Sequence, residues 1–209
     1  ILQDDIYSLG VTMAMLLRHN DHLQGLSEKD VIARKIENGS FATLIGRERI
    51  SGPILEFLRG ALQDDPKTRW TMDEVLLWLE GKRISPQKSE KNKKATRAIS
   101  FNNHKFVYPN HLSLEIADKP NLVEDLLDSK ELNQWVERSL DDKNMIKGIL
   151  DAERSTKRSV SSKSSQYQAR LATRISVVLY PEAPLRYKGL SLMPDGVSTA
   201  LTEAYMLKK

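Results

Sequence analysis

The stretch that most constrains this chain is Asp4-Asp5-Ile6-Tyr7-Ser8-Leu9-Gly10-Val11-Thr12-Met13-Ala14-Met15-Leu16-Leu17-Arg18-His19. Ile6, Leu9, Met13, Leu16 and Leu17 form one helical stripe, and Tyr7, Val11, Ala14 and Met15 make the other side apolar as well. A helix that is apolar all round belongs in a core or in a bilayer. This run falls short of the roughly 20 apolar residues that span a membrane, so the expectation is a core helix. Asp4 and Asp5 suit its N-terminus, where carboxylates meet free N–H groups and the positive end of the helix dipole; Arg18 suits the other end. The rod stands at the edge of the chain, and residue 1 is Ile. Together these carry the expectation of a piece of a longer protein, with N-terminal processing as the alternative.

Helical signals continue to residue 81. After a loop at 20–25, Ser27 is placed as an N-cap with Asp30 three residues on, and Val31, Ile32 and Ile36 point inward until Asn38-Gly39 stops the helix. Residues 40–52 read as irregular. Pro53 suits the first turn of a third helix, in which Ile54, Leu55, Leu58, Ala61 and Leu62 form a wide apolar face. Asp64-Asp65-Pro66 breaks it, because proline disfavours helical geometry in the residue before it. Thr71 and Glu74 make a capping box for a last short helix with Val75, Leu76, Trp78 and Leu79, stopped at Gly81.

Two motifs within this region carry a family resemblance. Asp5-Ile6-Tyr7-Ser8-Leu9-Gly10-Val11 resembles the start of the central helix of the protein-kinase large lobe, Asp-x-Trp-Ser-x-Gly-Val. Some sixty residues on, the run from Phe57 to Thr71, with Asp65-Pro66-Lys67-Thr68-Arg69-Trp70-Thr71, resembles the kinase pattern Leu-x-x-Asp-Pro-x-x-Arg-x-Thr. The resemblance covers 1–81 only and is to the Ser/Thr type. It implies that Asp5 receives hydrogen bonds from the backbone of the catalytic loop, and that Arg69 pairs with the glutamate of the Ala-Pro-Glu motif. Both partners lie upstream in a kinase and neither is in this chain. Tyr7 stands where Trp is commoner. The helix at 27–38 resembles the kinase helix that often docks partners or substrates.

The missing parts bound the activity. The chain has no Gly-x-Gly-x-x-Gly loop, no Val-Ala-x-Lys strand, no His-Arg-Asp loop and no Asp-Phe-Gly. Phosphoryl transfer needs those parts to position nucleotide, metal and hydroxyl. No residue of this chain is therefore assigned a catalytic role, and no cofactor is expected in it; ATP and Mg belong to the parent if that protein is active. The parent is an active kinase or a pseudokinase. In a kinase parent 1–81 would scaffold the catalytic loop; in the pseudokinase-derived alternative it would be only a kinase-derived platform.

Beyond residue 81 the expected organisation is a basic linker at 82–99, a helical segment at 100–151, a Ser-rich basic linker at 152–166 and a helical C-terminal segment at 167–209. The fold class is mainly α: a partial kinase-like C-lobe followed by a helical accessory region. Phe101, Phe106, Val107 and Tyr108 read as a short extended piece. Apolar faces at Leu122–Leu127, Leu132–Leu140 and Met145–Leu150 then suggest a small bundle. Tyr167, Leu171, Ile175 and Val178 recur at helical spacing, residues 184–190 read as extended, and Val197, Leu201 and Tyr205 suggest a closing helix. Trp78 and Trp135 fall in apolar patterns and read as core. The second reading of the whole is a non-catalytic, pseudokinase-derived interaction module, with a protein partner bound through 27–38 or 100–209.

Charge enters where partners are at issue. The net +4 is not spread evenly: 82–99 holds 7 Lys/Arg against 1 Asp/Glu, and 152–174 holds 6 against 1, while 1–81 and 100–151 are acidic. Basicity confined to polar connecting stretches is a poor footprint for a folded nucleic-acid-binding face, so nucleic acid is not the expected partner. The six serines of 155–165 form a flexible link or a phosphorylatable strip. His19 and His22, with Asp21, have helical spacing, but two His at a helix end lack a third placed ligand, and no metal site is assigned. Without Cys there is no disulfide framework, and a reducing, cytoplasmic setting is the expectation. No run is long enough to span a membrane.

Overall fold

The computed structural model describes residues 2–19, 21–87, 92–162, 164 and 166–207. It divides into two units, Ile1–Asn92 and Lys93–Lys209.

In the first unit, α1 (Leu2–Leu17), α2 (Glu28–Asn38), α3 (Ser40–Ile45), α4 (Pro53–Ala61) and α5 (Met72–Leu79) surround a core of Ile6, Ala14, Leu44, Phe57, Leu58 and Trp70. Helix starts follow local chemistry. Ser27 and Asp30 close a reciprocal capping box on α2, Thr71 and Glu74 do the same on α5, and Pro53 opens α4. Two glycines set the packing distances. A Cβ on Gly10 would lie 2.9 Å from the Ala61 Cβ, so its absence lets α1 and α4 approach closely. A Cβ on Gly60 would fall 2.3 Å from the Trp70 indole, which occupies that space.

The all-round apolar pattern of the first helix suggests a core rod, but a lobe fragment should leave it incompletely buried, and it is: Ile6, Gly10 and Ala14 are buried, whereas Leu9 is 47% exposed and Leu16 79%. Packing against α3, α4 and α5 covers one side only. Residues 40–52 are not irregular throughout, because 40–45 form α3. No local cap announces this helix. The Asp64 carboxylate, 24 residues away, accepts the Ser40 N–H at 3.1 Å and supplies the cap through space.

The second unit opens with a hairpin, β1 (Ile99–Phe101) and β2 (His104–Phe106), antiparallel with Phe101 opposite His104. Asn102 and Asn103 both have positive φ, 48° and 62°, as a tight two-residue turn requires. There follow α6 (Pro109–Asp118), a 3₁₀ turn at Pro120–Leu122, α7 (Val123–Asp128) and α8 (Glu131–Trp135), which runs on into a π-helical turn at Val136–Leu140. Next come α9 (Lys143–Ser159) and α10 (Tyr167–Leu179), a second antiparallel hairpin of β3 (Leu185–Tyr187) and β4 (Leu190–Leu192), and α11 (Val197–Met206). Helix α10 is the centre, packed on α6 and α9, with Tyr167, Leu171, Ile175 and Leu179 buried. Ser113 and Ser176 each donate to the other's carbonyl at 3.1 Å, which satisfies both hydroxyls at the α6–α10 contact.

The structure redraws the expected boundaries. Residues 93–99 are part of the second unit: Ala95 and Ile99 are buried in its core, Thr96 N donates to Ser139 O at 3.0 Å, and Trp135 Nε1 donates to Arg97 O at 2.7 Å. Backbone pairing holds this stretch, and no apolar periodicity records it. Lys88 and Lys91 of the expected linker lie outside the described residues. Residues 152–159 are the end of α9, with Ala152 and Thr156 buried; of the serine strip, Lys163 and Ser165 lie outside the described residues. Residues 100–151 and 167–179 share a single core. Among the described residues, no helix is long and apolar enough to cross a membrane.

Candidate functional site

The head of α1 collects the polar groups of the first unit. Arg69, in the turn between α4 and α5, is 6% exposed yet well supplied with acceptors. Its Nε donates to Gln63 O at 3.0 Å, Nη1 to Gln3 O and to Asp4 Oδ1 at 3.1 Å each, and Nη2 to Asp64 O at 3.3 Å. The guanidinium carbon sits 4.7 Å from the Tyr7 ring centre, where the electron-rich face attracts a cation. Three backbone carbonyls and one aromatic face thus fix this side chain. The ion pair adds little, since Asp4 is 74% exposed and water screens it.

Tyr7 carries the network onward. Its hydroxyl accepts from Lys35 Nζ at 2.9 Å and lies 2.8 Å from Ser40 Oγ. The Asp64 carboxylate that caps α3 follows directly from the segment bonded to Arg69. Residues from α1, α2, α3 and the 62–70 turn therefore meet in one polar cluster. An indole at position 7 would keep a ring under Arg69 but would place no hydroxyl between Lys35 and Ser40.

Asp5 stands apart from that cluster. It is exposed, and among the described residues it has no hydrogen-bond or ion-pair partner. Successive residues turn by about 100°, which sets Asp5 on the same side of α1 as Leu2, Leu9 and Leu16, all of them exposed. A carboxylate beside an apolar ridge can accept backbone N–H groups from a segment laid along the helix. Asp5 and Arg69, the two residues singled out in the sequence, are thus placed at one helix end but in separate environments.

The remaining candidates resolve differently. His22 Nε2 lies 2.8 Å from Thr43 O, and His19 faces Glu48, its N–H donating to Oε1 at 3.2 Å. The two imidazoles serve different neighbours, and no group of three metal-ligating side chains occurs among the described residues. Trp135 is buried, whereas Trp78 is half-buried, stacks on Phe57 with ring centres 5.0 Å apart and donates to Pro53 O at 2.9 Å. Sequence reasoning missed Asp4, Lys35, Ser40 and Asp64 as members of the Arg69–Tyr7 cluster. Asp4 is legible only as a carboxylate at the head of α1, and Asp64 only as part of the turn-forming Asp64-Asp65-Pro66. Compared with known proteins, the chain matches no family model, no curated protein and no solved structure.

Proposed function

We propose that residues 1–81 are the lower part of the large lobe of a protein-kinase-like protein of the Ser/Thr type, acting as scaffold for a catalytic loop carried upstream. The observation that supports this best is the open face of α1, where Asp5 lies among Leu2, Leu9 and Leu16. An apolar ridge of that length interrupted by one carboxylate fits a polypeptide segment that buries its side chains and donates backbone N–H groups to the acid. The buried Arg69 stacked on Tyr7 agrees with the second motif. Nothing in 1–81 corresponds to the parts that hold nucleotide or metal, so ATP and Mg are assigned to the upstream segment and no chemical step to this chain.

The coding sequence immediately upstream is the direct test: His-Arg-Asp and Asp-Phe-Gly equivalents should be found there. Their absence would leave only the pseudokinase version. In the longer protein, Asp5→Ala should abolish ATP-dependent phosphoryl transfer to a protein substrate while binding of a nucleotide analogue persists. Undiminished transfer would overturn the scaffold role.

A second reading is favoured by the separate core of Lys93–Lys209. On this reading, that unit is a non-catalytic interaction module. Capture of a protein partner should then survive removal of 1–92 and be lost on removal of 93–209.

A further inference from the structure

Basic residues confined to flexible links are a poor nucleic-acid footprint, but the second basic stretch is not such a link, since residues 152–159 complete α9. The unit Lys93–Lys209 carries 19 Lys and Arg against 14 Asp and Glu, a net of +5, whereas Ile1–Asn92 is nearly neutral.

The charge on α9 is also ordered. Ile149, Ala152 and Thr156 face the core. At about 100° per residue, Lys143, Lys147, Arg154 and Arg158 fall within about 60° of one another on the opposite side. All four are exposed. With about 1.5 Å of rise per residue the ridge is about 22 Å long. Arg154 lies 3.8 Å from Asp151, and Lys157 at the edge of the ridge pairs with Glu153. Lys143, Lys147 and Arg158 have no ion-pair partner among the described residues. We infer that this ridge is an interaction surface for a polyanion, and that its occupant is the phosphodiester backbone of a nucleic-acid duplex, bound without sequence preference.

The setting of the helix selects among anionic partners. A basic amphipathic helix that binds membranes must offer its apolar face to the lipid. Here that face is buried in the core, so insertion is closed off. An acidic protein partner ordinarily needs a desolvated anchor at the centre of its interface. The ridge offers only Leu150, at the 36% exposure of a side chain already packed on one flank. Among the described residues, α9 itself carries no aromatic side chain for stacking of unpaired bases. What remains is a straight row of cations facing solvent, which suits a dense, regular line of phosphates and binds by counterion release.

The test uses the whole chain and a fluorescein-labelled random duplex of about 20 base pairs, followed by anisotropy over a salt series. With four phosphates neutralised, the slope of log K against log salt should be about −3.6. Lys143→Gln/Lys147→Gln/Arg158→Gln should lose at least about tenfold in affinity at low salt and flatten the slope by about 2.7. Lys82→Gln/Arg83→Gln should bind as the parent chain does. If the triple variant does not keep its helical circular dichroism, Lys147→Gln alone should flatten the slope by about 0.9. The proposal is overturned by absence of salt-dependent binding, by unchanged binding in the ridge variants, or by equal loss in the Lys82/Arg83 variant. Displacement by poly-glutamate at lower charge concentration than by unlabelled duplex would reassign the ridge to an acidic protein and overturn it as well.

Discussion

Arg69 illustrates what a single residue does in the first unit: buried, it joins the start of α1 to the turn before α5 through three backbone carbonyls. Arg69→Met would keep bulk against Tyr7 but take the guanidinium hydrogen bonds from Gln63 O and Asp64 O. We expect a loss of about 3 kcal/mol in the first unit, read by urea unfolding on Trp70 and Trp78 fluorescence. Tyr7→Phe removes only the hydroxyl link to Lys35 and Ser40 and should cost about 1 kcal/mol by the same measurement. In the second unit, Asp142 caps α9, accepting from Met145 N at 3.0 Å. That hydrogen bond, aided by Lys93, holds its carboxyl below the ordinary carboxylate value despite partial burial. A depressed folded-state pKa contributes stability above the unfolded-state pKa and loses it as pH falls through the folded-state one. Asp142→Ala should therefore cost about 1 kcal/mol at neutral pH. The difference from the parent chain should vanish in acid, below the ordinary carboxylate range, in melts followed at Trp135.

At the level of elements, helices with their own caps are the ones the sequence announces. Ser27–Asp30, Pro53 and Thr71–Glu74 mark α2, α4 and α5, since each signal is local and concerns backbone groups within one turn. Helix α3 is silent because its cap comes from Asp64, and periodicity is blind to a partner 24 residues away. The end of α9 is misread for a related reason: serine and lysine resemble a linker in composition, and only burial of Ala152 and Thr156 keeps the helix going. Close packing makes α4 the least forgiving element. Gly60→Ala would drive a methyl group into the Trp70 indole, and the first unit should lose more than about 3 kcal/mol or fail to fold. A Gly60→Ala protein whose Trp70 and Trp78 signals melt as in the parent chain would refute that packing argument.

At the level of the whole molecule, the two units have separate cores, so their unfolding should appear as two transitions. The boundary makes a sharper claim. Residues 93–209 alone should melt cooperatively, whereas 100–209 should be less stable, having lost Ala95, Ile99 and the Arg97 carbonyl bound by Trp135. Equal stability of the two would place the boundary where composition first suggested it. The open ridge of α1 predicts concentration-dependent association of the 209-residue chain in light scattering, relieved by Leu9→Glu/Leu16→Glu. By itself the sequence determined the mainly helical class, the capped helices, the extended character near 101–108 and 184–190, and the choice of Asp5 and Arg69 as the residues of interest. Those features are written in neighbours a turn apart, or in motifs whose order along the chain is itself informative. Tertiary structure decided which side of α1 is covered, that Arg69 rests on Tyr7 and three carbonyls, where the second unit begins, and that a basic serine-rich stretch is one face of a helix. Each of these depends on groups far apart in the chain coming within a few ångströms, and on the desolvation that follows, which no local pattern encodes.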